Sequence, residues 1–184
     1  IEHSRRDPSV ELDLSSVSTD SFAQDFARID AWEDTTDFTL LYWMNLLYSA
    51  EDELPEDLVA AMDERLLAYS YWYTEPVPPG VVDEKWYWSE NHRIIFHTLQ
   101  YLAGLRHPES TFQDGRTGAE KAEEAKAWIL EWLDEHAEYG FSEWHSDVYY
   151  QKDVTPLLTL VEFAPDPEVA ERAEIMLDLV LLDI

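Results

Sequence analysis

The run Glu90-Asn91-His92-Arg93-Ile94-Ile95-Phe96-His97-Thr98-Leu99-Gln100-Tyr101-Leu102-Ala103-Gly104-Leu105 decides the fold. Its apolar residues Ile94, Ile95, Phe96, Leu99, Tyr101, Leu102 and Leu105 cover most of a helix circumference, so the helix needs neighbours on nearly every side. A second run of this kind, Phe38 to Tyr48, predicts another inner helix. Leu58, Met62, Leu66 and Tyr69 recur at helical spacing after Pro55, which reads as an outer, half-solvated helix. Ala119 to Tyr139 is amphipathic, with Ala122, Ala125, Ile129, Trp132, Leu133 and His136 on one face, Lys121 and Glu124 among the polar remainder, and Gly140 as its C-cap. Val148 to Ala164 contains Pro156, which predicts either a kink or a helix start at Thr155, and Asp166-Pro167 caps a last outer helix.

Between these runs, residues 73–84 form a Pro-rich linker, and Gly104 and Pro108 help to end the central helix. No segment shows sustained strand alternation. The expectation is an all-α domain over residues 31–184, with about six main helices in three inner/outer hairpins, preceded by a polar N-terminal arm over residues 1–30.

Composition limits function. The 184 residues are 46% apolar and 14% aromatic, enough for one sizeable core. Forty acidic against 12 basic residues give a net charge of −28, which excludes nucleic acid and anionic membranes as partners because phosphates could not be neutralised. Acid spread along the whole chain fits solubility at high salt, where self-repulsion is screened, so a halophilic source is expected. The corresponding location is secreted or extracellular, or else the cytoplasm of a halophile. Cysteine is absent, and no run of eighteen apolar residues exists. The chain opens on Ile1 without Met, and the apolar run from Leu179 reaches nearly to Ile184. Both features suggest a piece of a longer protein whose remainder would be a partner.

Just before the central helix lies Trp86-Tyr87-Trp88-Ser89-Glu90-Asn91-His92, and Phe141-Ser142-Glu143-Trp144-His145 echoes it 53 residues later. Ser-Glu-x-His written twice suggests two copies of one unit aiming polar groups at one place. Glu90 and Glu143 could be helix-start carboxylates favoured by the dipole, or the acid pair of a glycoside hydrolase. Trp86, Trp88 and Trp144 could stack on sugar rings. A metal set of His92, Glu143 and His145 lacks a recognised ligand spacing, so no metal is expected. Gly-rich phosphate loops and Ser nucleophile elbows are missing too, and no cofactor is expected.

The inner/outer alternation resembles the (α/α) toroid, of which three hairpins make half of the common six-hairpin ring. The order Asn91, His145, then Tyr149 or Tyr150 resembles the Asn-His-Tyr set of toroid polysaccharide lyases acting on hyaluronan, chondroitin or alginate. That resemblance implies β-elimination on a uronate polysaccharide. Asn91 would neutralise the sugar carboxylate, His145 would be the base, and Tyr149 or Tyr150 the acid. Arg93, beside Asn91, would make the cleft locally positive. Two alternatives stand beside it: hydrolysis through Glu90 and Glu143, and a non-catalytic helical module in which Ser-Glu-x-His is only a repeated cap.

Overall fold

The structure, a computed structural model, describes residues 14, 16–143, 145–146 and 148–183. They form seven α-helices: α1 (Ala23–Asp30), α2 (Thr36–Ala50), α3 (Glu56–Ala68), α4 (Glu90–Arg106), α5 (Gly118–Tyr139), α6 (Tyr150–Phe163) and α7 (Pro167–Asp183). Among the described residues there is no sheet, so the chain is all-α as its periodicity predicts. Residues 1–13 and 15 of the expected arm, and Trp144, lie outside the described residues, whereas the arm's end forms α1, which buries Phe26 and Ile29.

Fourteen of the 17 residues of α4 are buried. The helix packs against α2, α5 and α6, which explains why its sequence is apolar on all sides. Ile94, Ile95, Phe96, Leu99 and Leu102 are fully enclosed, each stabilising the fold by about 1.5–3 kcal/mol of transfer free energy. α4 with α5 and α6 with α7 are close hairpins, whereas α3 approaches α1 more closely than it approaches α2. α2 is less enclosed than its sequence suggests, because Tyr42 faces solvent. Among the described residues no helix is long and apolar enough to cross a membrane.

Local chemistry sets the helix ends. Thr117 and Glu120 form a reciprocal capping box: Thr117 Oγ1 accepts from the Glu120 amide at 3.3 Å and Glu120 Oε2 accepts from the Thr117 amide at 2.8 Å. Asp166 Oδ1 accepts from the Glu168 amide at 3.0 Å and starts α7 as expected. α6 begins at Tyr150 and runs through Pro156, so Thr155 is not its start. Gly104 does not end α4; it lies inside the helix, where α5 crosses. A Cβ on Gly104 would stand 2.4 Å from the Gly118 carbonyl oxygen, and one on Gly118 would stand 2.1 Å from that of His107. Gly118→Ala and Gly104→Ala are each expected to lower stability by roughly 2 kcal/mol, read as a lower urea midpoint with unchanged slope.

Lys121 departs from its expected place on the solvent face of α5. It is fully buried, with Nζ 2.7 Å from Glu75 Oε1 and 2.9 Å from Asp114 Oδ2. Arg116 joins the same network through Asp114 and Glu124. A buried ammonium persists only when such partners replace its water, and they come from loops that helical periodicity does not read.

Candidate functional site

The two Ser-Glu motifs meet. Glu90, in the first turn of α4, accepts hydrogen bonds on Oε2 from the Ser142 amide and the Ser142 hydroxyl, both at 2.7 Å. Its Oε1 accepts from the Glu143 amide at 3.0 Å. In return, Asn91 Nδ2 donates to Glu143 Oε2 at 3.0 Å. Ser89 Oγ donates to Asn91 Oδ1 at 2.9 Å, which orients that amide. The motif and its echo are thus two halves of one clasp closing the 140–143 turn over the start of α4. Only the first copy opens a helix; the second lies in a turn, with α6 starting at Tyr150.

α5 completes the clasp from beneath. His136 Nδ1 donates to the Trp132 carbonyl at 2.8 Å, since a carbonyl can only accept, and this places Nε2 3.5 Å from Glu90 Oε2. Trp132 Nε1 donates to the Glu90 carbonyl at 3.0 Å. Burial pushes the Glu90 carboxyl pKa up, but the hydrogen bonds from His136, Ser142 and Glu143 outweigh it and hold the value at about 2. Glu143 moves the other way, raised by burial and by the Glu90 charge against the donation from Asn91.

Asp153, on the first turn of α6, is the least compensated group here. It is 0% exposed, and neither carboxylate oxygen has a hydrogen-bond partner among the described residues. Burial, then the charges of Glu90 and Glu143, raise its pKa to about 8, so at neutral pH it is a carboxylic acid. Beside the clasp, His92 Nδ1 lies 2.7 Å from Asp37 Oδ2 of α2, both groups buried. Burial raises the Asp37 carboxyl against the lowering effect of His92.

The remaining expected site residues are dispersed. Arg93 pairs with Glu135 of α5 at 2.9 Å and so does not lie free beside Asn91. His145 has a left-handed backbone at φ 57°, and its amide donates to the Tyr150 hydroxyl at 3.0 Å. Tyr150 is buried, with its ring edge-on to Phe141 at 5.8 Å, while Tyr149 is half exposed. Because His145, Ser146, Val148 and Tyr149 precede the helix that begins at Tyr150, the i, i+4 relation that would put His145 and Tyr149 on one helix face does not arise. Asn91 is buried and its donor is engaged with the protein's own carboxylate. Among the described residues no group of three or more His, Cys, Asp or Glu side chains is arranged to hold a metal ion.

The exposed part of the neighbourhood is aromatic. From residue 82 to residue 88 the chain is outside any helix and its exposure alternates as in an extended segment, with Val82, Glu84, Trp86 and Trp88 outward and Asp83, Lys85 and Tyr87 inward. The Glu84 amide donates to the Trp32 carbonyl at 3.2 Å, and the Trp86 amide to Asp34 Oδ1 at 2.8 Å. Inward, Lys85 Nζ lies 3.9 Å from the centroid of Trp32 and 3.0 Å from Asp83 Oδ1, and the Tyr87 hydroxyl donates to Asp83 Oδ2 at 2.8 Å. These anchors leave Trp86 and Trp88 about half exposed on one side of a fixed strip, about 6.6 Å apart along the backbone. Half-exposed Tyr73 extends the strip, its ring centroid 4.5 Å from that of Trp88.

Helical periodicity missed three of these features: the alternation of residues 82–88, the His92–Asp37 pair and buried Asp153. The first had a signal, since apolar or aromatic residues at 82, 86 and 88 share one parity. The other two depend on contacts between distant helices. His97 belongs to the core as expected, between Trp72 at 4.7 Å and Trp128 at 5.0 Å. Compared with family models, with curated proteins and with solved structures, the chain matches none.

Proposed function

We propose that this domain is a non-catalytic helical module that binds a neutral glycan along the strip formed by Trp86, Trp88 and Tyr73. The supporting observation is that strip: two half-exposed tryptophans held on one side of an extended segment by buried anchors, with the half-exposed Tyr73 ring 4.5 Å from Trp88. Sugar rings present apolar C–H faces, and flat aromatic rings that need no ordering on binding are suited to stack on them. The net charge of −28 repels polyuronates at low salt, which favours an uncharged chain. Cleavage is left out of this reading because Asn91 and Glu90 are both engaged by the 140–143 turn. In this reading Ser-Glu is a clasp and Arg93 is a surface ion pair.

Tryptophan fluorescence titration with xylan, β-glucan and mannan oligosaccharides, and separately with alginate, hyaluronan and pectate, tests it. A neutral oligosaccharide is expected to bind, and Trp88→Ala to weaken it roughly tenfold, about 1.4 kcal/mol. Failure of all six glycans to bind sinks the proposal. Absorbance from 4,5-unsaturated product that disappears in His145→Ala would restore the lyase reading. New reducing ends that disappear in Glu143→Gln would restore hydrolysis.

A further inference from the structure

A second surface, on α7, has no partner among the described residues. α7 buries Val169, Ala173, Met176, Leu177 and Val180 against the core. On its opposite side Ile175, Leu179 and Leu182 are 61%, 45% and 83% exposed. Their spacing of i, i+4 and i+7 makes a straight stripe about 10 Å long on the helix surface. Exposed Glu171, Glu174 and Asp178 border it. The cation of this helix, Arg172, is engaged with Asp134 and Glu168.

We infer that this stripe is a docking site for an amphipathic helix with an apolar face flanked by lysine or arginine. An apolar row of helical period is complemented by a second helix of the same period, whose ridges fit beside it. The sign of the flanks follows from the acidic border. A second copy of this chain is the poorer occupant, since self-pairing would set Glu171, Glu174 and Asp178 against like charges and add a further −28. The site is independent of glycan binding, and either can fail without the other.

The test must separate docking from general attraction of cations to an acidic protein. Three 18-residue peptides serve as probes: a Leu/Lys amphipathic helix, a Leu/Glu helix with the same apolar face, and a Lys/Ser peptide of equal positive charge. Calorimetric titration of the whole chain in 0.15 M salt is expected to show binding of the Leu/Lys peptide alone. The variant Ile175→Glu/Leu179→Glu is expected to bind it at least tenfold more weakly, although it carries two more negative charges. Its melting temperature, measured alongside, is expected to be unchanged because both side chains are exposed. Equal or tighter binding by this variant overturns the proposal, as does equal binding of the Lys/Ser or Leu/Glu peptide. Absence of binding by all three peptides overturns it too. Sedimentation of the wild type as a dimer that the variant abolishes would assign the stripe to a second copy.

Discussion

Asp153→Asn is expected to stabilise the protein by about 4 kcal/mol at pH 7, raising the melting temperature by on the order of 10 °C. The carboxyl is fully buried, its oxygens have no partner among the described residues, and its pKa is raised to about 8. In the unfolded chain it ionises near 3.8. Between those values the folded state must hold a proton that the unfolded state has released. Stability from this group is therefore fully present below pH 3.8 and declines as pH rises towards 8. Asn keeps the shape and polarity without the titration, so the gap between variant and wild type should be near zero at pH 3.5 and widen up to pH 8. The difference is the quantity to measure, because His97 acts oppositely in both proteins. Burial, with the charge of Arg93, lowers its pKa to about 3, so its contribution is lost as pH falls from 6.5. A gap that stays constant from pH 4 to pH 8, followed by urea denaturation, would refute the assignment of Asp153 as a buried neutral acid.

What the sequence discloses about this fold is what repeats at short range. Ile94 to Leu105 is apolar around the whole helix, and α4 is the element with neighbours on every side. Ser89-Glu90 and Ser142-Glu143 are visibly a repeat, and they do converge, but as reciprocal partners instead of parallel copies. A one-dimensional pattern cannot distinguish these cases, because the distinction is whether Glu90 bonds its own helix start or a turn 52 positions away. The same limit applies to Lys121, placed on the solvent face by helical spacing and drawn inside by Glu75 and Asp114 from two loops. Asp153 is the hardest case, since nothing local marks a carboxylate that will lack a partner. The aromatic strip was nearer to legible. Trp86 and Trp88 share a parity, and the prolines at 76, 78 and 79 obscure the short extended segment that follows them.

Glu90→Gln is the complementary substitution and is expected to lower stability by about 3 kcal/mol at pH 7. Its carboxylate collects the Ser142 amide and hydroxyl and the Glu143 amide, and these donors with His136 hold its pKa at about 2. The folded value is below the unfolded one of 4.5, so this contribution is fully present above pH 4.5 and is lost as pH falls towards 2. A glutamine offers only one acceptor oxygen, and its NH2 group would face an amide donor. Urea denaturation should show the full deficit at pH 7 and a much smaller one at pH 3. A deficit below 1 kcal/mol at pH 7 would mean that the clasp does not hold the turn. A second readout follows from the shared charge. Glu90 is one of the two carboxylates whose charge raises Asp153, so Glu90→Gln should let Asp153 ionise at lower pH, visible in its carboxyl carbon-13 shift. A stability loss without that change would place Glu90 and Asp153 in separate environments and leave the clasp an ordinary turn contact. Both effects together would establish that the two Ser-Glu motifs and the buried acid beneath them titrate as one unit.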